Sequence, residues 1–125
     1  MTGKTNNLRS RIHSFKHAFY GIKLVFLTQA NFRIQLIVGI VALIIGFTLK
    51  ISTAEWCLVI LVSGLVLTAE SINSSIENLC DKVESHQDDT IKKVKDISAG
   101  GVLISSIIAL ITGLIIFLPK IIDQF

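Results

Sequence analysis

The sequence predicts an all-α integral membrane protein in which one amphipathic surface helix precedes three transmembrane helices. The chain has 125 residues, a length that suits a single membrane domain covering residues 1–125. Hydrophobic residues make up 51% of the chain, which is more than a soluble domain of this size could bury. Pro119 is the one proline, and this scarcity favours long helices over the alternating strands of a β-barrel.

Residues 8–28 form the predicted amphipathic helix, because apolar side chains recur there every three or four residues. The apolar positions are Leu8, Ile12, Phe15, Phe19, Ile22 and Phe26. The first 33 residues also carry six lysines and arginines and no acid. A basic arm could bind nucleic acid, but an arm joined to a membrane span is explained more simply as lying on an anionic lipid surface. Packing on soluble protein is a further alternative, although little soluble protein exists in this chain.

The three transmembrane helices are predicted at residues 32–50, 54–83 and 92–118. The apolar run of the second helix reaches only Ala69, but its helical periodicity continues to Val83, so this helix has a polar second half. The third helix is expected to end before Pro119 and Lys120, because proline removes a backbone donor.

Orientation follows from the lysines and arginines near the ends of the spans. They are concentrated in the N-terminal arm and in residues 82–95, whereas the other side has only Lys50 and Lys120. Positive charge is retained on the cytoplasmic side. The N-terminus and the loop 84–92 are therefore predicted to face the cytoplasm, and the C-terminus the outside.

A polar stripe runs along the second half of the middle span. Glu70, Asn73, Glu77 and Asp81 follow one another at intervals of three, four and four residues, which places them on one helix face. A carboxylate within a membrane costs a few kcal/mol or more, so the stripe must face protein, a polar cavity or the headgroup layer.

These side chains suggest a site for proton and phosphate chemistry. Glu70, the deepest carboxylate, is the predicted general base for a hydroxyl. Glu77 could bind a hard cation such as Mg²⁺, and Asn73 could orient a phosphate or a lipid hydroxyl. The alternative is an interhelical hydrogen-bond stripe, and for Asp81 a structural role at the interface is preferred.

A second group of polar residues precedes the third span. Lys95 is placed to neutralise the phosphates of ATP, and Asp96 could accept a hydrogen bond from the nucleotide or fix Lys95. Ordinary positive charge beside a span also explains these lysines. No P-loop, glycine-rich kinase loop or dinucleotide fingerprint occurs in the sequence, so a nucleotide site would have to be built from helix ends and loop side chains. The small residues within the spans are assigned to close helix packing; they are Gly39, Gly46, Gly64, Ser71, Ser75, Gly100, Gly101 and Gly113.

Two segments resemble the motifs of the prokaryotic diacylglycerol kinase family, which includes undecaprenol kinases. They are the run from Ala69 to Asp81 and the run from Lys95 to Leu103. Residues 14–21 and the segment Asn31-Phe-Arg33 also match, so the resemblance covers nearly the whole chain.

The resemblance implies a homotrimer in a bacterial cytoplasmic (inner) membrane, with active sites shared between subunits. It implies transfer of the γ-phosphoryl group of ATP, with Mg²⁺ as cofactor, to diacylglycerol, or alternatively to undecaprenol. It also implies a catalytic Glu70 and metal ligands Glu77 and Gln29. The implied ATP-binding residues are Lys95, Asp96, Glu77, Gln29, His86, Asp88 and His17, and the implied lipid-binding residues are Glu70, Asn73, Asn31 and Arg33.

The chain departs from the family pattern in three places. Gln29 stands where the family usually has a metal-binding glutamate. Gln35 stands where histidine or glutamate is common, and residues 86–88 replace the common Glu-Tyr-His. An amide oxygen coordinates a cation without supplying negative charge, so the affinity for metal should fall.

Two other functions are compatible with parts of the pattern. A proton-coupled transporter also uses an intramembrane glutamate such as Glu70, but it has no need for the Glu77, Lys95 and Asp96 group. Lipid phosphorylation by the purified protein would separate the two. A non-catalytic assembly subunit is the second rival, and metal-dependent ATP binding would exclude it.

The Gln29 substitution leads to a first testable prediction. We expect Gln29→Glu to lower the Mg²⁺ concentration needed for half-maximal kinase activity, because it restores a charged oxygen donor. The measurement is a Mg²⁺ titration of the wild type and the variant. An unchanged or higher requirement would count against a position of Gln29 at the metal.

Overall fold

The computed structural model describes the backbone of residues 3–125 and the side chains of residues 7–125. Met1, Thr2 and the side chain of the predicted surface cation Lys4 lie outside this part. The described chain contains four α-helices. They are α1 (Gly3–Thr28), α2 (Ala30–Leu49), α3 (Thr53–Val83) and α4 (Asp89–Asp123).

The helices α2, α3 and α4 are each long and apolar enough to cross a membrane. The chain is therefore a multi-pass membrane protein, which confirms the predicted all-α class and its three spans. The helix α4 begins at Asp89, before the predicted start at Lys92, and continues through Pro119 to Asp123. It can do so because proline in the last turns of a helix removes a single backbone hydrogen bond.

The junction between α1 and α2 is a single extended residue, Gln29, with φ −114° and ψ 108°. Arg33 fixes this break, since its Nη1 donates to the carbonyl oxygens of Phe26 at 2.7 Å and Leu27 at 3.0 Å. The last carbonyls of a helix have no partner within it, so the guanidinium caps α1 from the first turns of α2.

The exposed side chains of α1 bear on its predicted place at the membrane surface. Phe15 and Phe19 expose 69% and 70% of their area, and the other apolar residues of the stripe are also exposed. The helix contacts α2 and α3 only sparsely. Its position on a lipid surface stays a prediction.

The turn between α2 and α3 is fixed by local hydrogen bonds. Lys50 adopts the left-handed conformation with φ 52° and closes the end of α2. Ser52 and Glu55 then form a capping box: Ser52 Oγ accepts from Glu55 N at 3.2 Å, and Glu55 Oε1 accepts from Ser52 N at 2.9 Å. A small core of Ile51, Val59 and Ile116 lies beside this turn.

The antiparallel helices α3 and α4 make the most extensive contact in the chain and carry an ion pair at each end. Lys120 Nζ lies 3.3 Å from Glu55 Oε1 at one end, and Lys95 Nζ lies 2.5 Å from Asp81 Oδ1 at the other. Glu55 and Asp81 are separated by about 39 Å of helix. This length exceeds a hydrocarbon layer of about 30 Å, so both pairs can lie outside it.

The glycines give a prediction about packing. A Cβ at Gly46 would lie 2.9 Å from Ile51 Cδ1 and 3.1 Å from Trp56 Cη2, whereas the nearest neighbour of a Cβ at Gly113 would be 4.0 Å away. We expect Gly46→Ala to be less stable than Gly113→Ala by about 1–3 kcal/mol, because the first variant overpacks a buried turn. Denaturation in detergent measures the difference, and equal stabilities would show that the turn can expand freely.

Candidate active site

One face of α3 carries polar side chains that are buried inside the protein. Glu70 exposes 2% of its area, Asn73 7% and Ser74 4%. The opposite face is apolar and exposed, with Ile72 at 56% and Leu79 at 64%. A membrane helix favours this arrangement, because carboxylates and amides are costly to expose to hydrocarbon and apolar side chains are not. The buried part of the polar stripe therefore faces protein.

Asn73 differs from the neighbouring serines in its hydrogen bonding. Ser71 Oγ donates to the carbonyl oxygen of Leu67, and Ser74 Oγ donates to that of Glu70, both at 2.9 Å. Asn73 Oδ1 is buried and has no hydrogen-bond partner among residues 7–125. An unpaired buried polar group costs about 1–3 kcal/mol, so the side chain of Asn73 destabilises the single chain.

A pocket of about 390 Å³ lies between the C-terminal half of α1 and the polar half of α3. Its lining mixes apolar with hydroxyl and amide side chains, and we call it the polar pocket after the latter. Gln29 lines it beside the end of α1, and Ser71, Ser74 and Asn78 line it from α3. The sequence-based prediction placed Gln29 in the site, assigned Ser71 to helix packing and gave Asn78 no role. Their spacing around Ser74, three and four residues, was a signal that all three lie on one face.

Asp81 and Lys95 join α3 to α4 at the end of the polar stripe through their 2.5 Å ion pair. Asp96, predicted to contact the nucleotide or fix Lys95, pairs with Lys92 at 2.5 Å. Of the two predicted roles of Asp96, the one in which it fixes Lys95 is therefore wrong. Residues four apart on a helix share a face, as Lys92 and Asp96 do, whereas adjacent residues do not. Asp81 follows Glu77 by one turn, so the Lys95 ammonium lies at the end of α3 that carries both acids.

The remaining predicted site residues are dispersed in the single chain. His86 is exposed in the connection after α3, and Asp88 Oδ1 accepts from Ile91 N at 3.0 Å, which caps the start of α4. His17 and Asn31 are exposed on α1 and α2. The guanidinium of Arg33, predicted to contact lipid, is bonded to the end of α1 as described above.

The metal ligands predicted from the family do not form a closed cage in the single chain. Within residues 7–125, no three His, Cys, Asp or Glu side chains are grouped to hold an ion. Glu77 is half-buried, and Gln29 offers an amide oxygen in the neighbouring polar pocket. These donors fit Mg²⁺, which often uses one or two protein oxygens together with substrate phosphates and water.

Comparisons with known proteins agree on one family. The family model for prokaryotic diacylglycerol kinase matches residues 16–117. The undecaprenol kinase of Bacillus subtilis (strain 168) is 35% identical over 115 residues, which cover 92% of this chain and 94% of that protein. The diacylglycerol kinase of Escherichia coli (strain K12) is 29% identical over 115 residues, covering 92% and 91% of the two chains.

The unpaired oxygen of Asn73 leads to a prediction that separates stability from activity. We expect Asn73→Leu to keep or raise the stability in detergent, by about 1 kcal/mol, because it replaces an unpaired polar group by an apolar one of similar size. The same change should lower catalytic activity. A loss of stability would contradict this account, since it would mean that Asn73 Oδ1 has a partner in the assembled protein.

Proposed function

The chain belongs to the prokaryotic diacylglycerol kinase family and is a lipid kinase, and we propose that it transfers the γ-phosphoryl group of ATP to a membrane lipid alcohol. The observation that supports this reaction most strongly is Glu70, a carboxylate that is 2% exposed on the inward face of a membrane helix. An acid in this position is costly to the fold. It is the group expected where a lipid hydroxyl must lose a proton.

In the proposed reaction, Glu70 accepts the proton of the lipid hydroxyl as the hydroxyl oxygen attacks the γ-phosphorus. A new oxygen–phosphorus bond forms, the bond to the β-phosphate oxygen breaks, and ADP leaves. The proton passes from Glu70 to water before the next turnover. Phosphoryl transfer needs little covalent participation by the protein, so positioning and charge stabilisation account for most of the catalysis.

Lys95 is the proposed cationic contact for the ATP phosphates. Its ion pair with Asp81 holds the long side chain beside the end of α3, which reduces the entropy lost when phosphate binds. Glu77 and Gln29 would hold Mg²⁺, which when bound offsets negative charge on the phosphates. Asp96, His86, Asp88 and His17 complete the proposed nucleotide contacts.

The orientation and assembly of the chain are part of the proposal. The N-terminus faces the cytoplasm, and the exposed apolar stripe of α1 lies on the inner surface of a bacterial cytoplasmic membrane. The protein acts as a homotrimer with shared active sites. His17 and Asn31 support sharing, because both are exposed in the single chain and so remain free to contact a neighbouring subunit.

Diacylglycerol and undecaprenol are the two proposed acceptors. Each presents a hydroxyl at the membrane surface with apolar chains below it. The resemblance to the family led us to name diacylglycerol first, although the segment Asn31-Phe-Arg33 looks closer to the undecaprenol kinases. The identity to the undecaprenol kinase of Bacillus subtilis, 35% against 29% for the diacylglycerol kinase of Escherichia coli, also favours undecaprenol. The purified protein should be given both lipids and labelled ATP in mixed micelles, and the phosphorylated product identified. If neither lipid is phosphorylated, the transporter and assembly-subunit hypotheses gain support.

Replacement of the base gives the direct test of the mechanism. We expect Glu70→Gln to reduce lipid phosphorylation by at least about a hundredfold, because a general base contributes roughly this much or more. The oligomer should still assemble, since glutamine has nearly the same shape, and size measurement in detergent provides the control. Activity close to that of the wild type would remove Glu70 as the base.

A further inference from the structure

Two histidines on α1 form a pair that the proposed reaction does not explain. His13 and His17 are one helical turn apart, and both side chains are exposed. Their ring centroids lie 6.4 Å apart, with an angle of 28° between the ring planes. The same spacing places two histidines on one ion in the zinc-binding helices of metalloproteases. The pair is therefore a candidate chelate for a metal ion.

The distance between the two rings fits a shared ion. A ring nitrogen binds Zn²⁺ at about 2.0–2.1 Å, so two imidazoles on one tetrahedral ion have their ring centroids roughly 5 Å apart. The observed separation is slightly larger. Small side-chain rotations close this difference, and exposed side chains rotate readily. The backbone of α1 needs no change to hold the ion.

The pair lies on the side of α1 that faces away from its apolar stripe. At about 100° per residue, His13 and His17 lie about 140–180° around the helix from Leu8, the first residue of the stripe. With the stripe on the membrane, the two rings face the cytoplasm, where ions in solution can reach them. Gly21, one turn after His17, lines the polar pocket, so the pair lies next to the candidate active site.

The ligand type selects the class of ion. The first 33 residues contain no carboxylate, and Mg²⁺ and Ca²⁺ require oxygen ligands. Neutral imidazole instead suits Zn²⁺, Ni²⁺ and Cu²⁺. Arg9 and Lys16 on the same helix carry positive charge, which lowers the affinity but is screened by salt at an exposed site. The pair is thus chemically distinct from the Mg²⁺ site proposed at Glu77 and Gln29.

We propose that His13 and His17 together bind one transition-metal ion such as Zn²⁺, and that this ion inhibits the enzyme by occupying His17. Water or phosphate oxygens fill the other coordination positions of the ion. The binding of the ion is independent of the proposed reaction. Its inhibitory effect rests on the proposed function, in which His17 contacts the nucleotide.

A titration of the purified full chain with Ni²⁺, without a histidine tag and in excess Mg²⁺, tests the site. We expect His13→Ala and His17→Ala each to weaken Ni²⁺ binding at least about tenfold by calorimetry, because even the hydrogen-bond partners of metal ligands contribute this much. His86→Ala removes the third histidine of the chain and should leave the affinity unchanged. Unchanged affinity in His13→Ala, or an equal loss in His86→Ala, would overturn the proposal.

A pair of double variants tests the spacing itself. Gly21 is four residues after His17, and a Cβ there would have no heavy atom within 4 Å, so a larger side chain has room. Adding Gly21→His to His13→Ala should restore most of the affinity for Ni²⁺, because it rebuilds a pair four residues apart. Adding Phe15→His instead places the new ring on the opposite face from His17 and should restore nothing. Any other pattern would contradict a chelate formed by helical spacing.

Lipid phosphorylation at saturating Mg²⁺ tests the inhibitory effect. Zn²⁺ should inhibit the wild type, and His13→Ala should need at least about tenfold more Zn²⁺ for half-maximal inhibition. His13 is not among the proposed nucleotide contacts, so activity without Zn²⁺ should stay unchanged. Equal sensitivity to Zn²⁺ would overturn the inhibitory role. Inactivity of the wild type on every lipid would instead refute the proposed kinase function, and the Ni²⁺ titration would still decide whether the site exists.

Discussion

The antiparallel packing of α3 against α4 is the contact on which the rest of the structure depends. It places Lys95 beside Asp81 and so brings a cation to the end of the helix that carries Glu70 and Glu77. The ion pairs at the two ends are partly or largely exposed, and exposed pairs contribute only about 0–1 kcal/mol each. Helix packing therefore provides the stability, and the charges help to specify the register in which the two helices meet.

The membrane reverses the usual distribution of polar and apolar side chains on α3. Hydrocarbon accepts Ile72 and Leu79 on the outer face, so the acid and amide groups are turned inward. Two features of this inner face oppose stability, namely the buried carboxylate of Glu70 and the unpaired oxygen of Asn73. Groups that destabilise a fold and yet stand together on one helix face are typical of a catalytic site, where reactivity opposes stability.

The polar pocket between α1 and α3 brings together side chains that are far apart in the sequence. Ser71, Ser74 and Asn78 line the pocket from the same helix that carries Glu70, and Glu70 itself is not among the lining residues. Gln29, the extended residue between α1 and α2, lines this pocket with its side chain. Arg33 fixes the backbone at this junction through its hydrogen bonds to the end of α1. A lipid kinase built this way needs no deep cavity, because the membrane already orients the acceptor with its hydroxyl at the surface.

The sequence by itself determined the helical class, the three spans, the extension of α3 beyond Ala69 and the polar face of that helix. Each of these follows from helical periodicity and from the cost of polar groups in hydrocarbon, which are local properties of the chain. Only the tertiary structure decided that Lys95 pairs with Asp81 rather than Asp96, and that Ser71 and Asn78 join Gln29 at one pocket. It also decided that Gly46, but not Gly64, packs closely against other side chains in the single chain. These contacts depend on how separate helices pack against each other. The register and rotation of one helix against another cannot be deduced from residue spacing or composition.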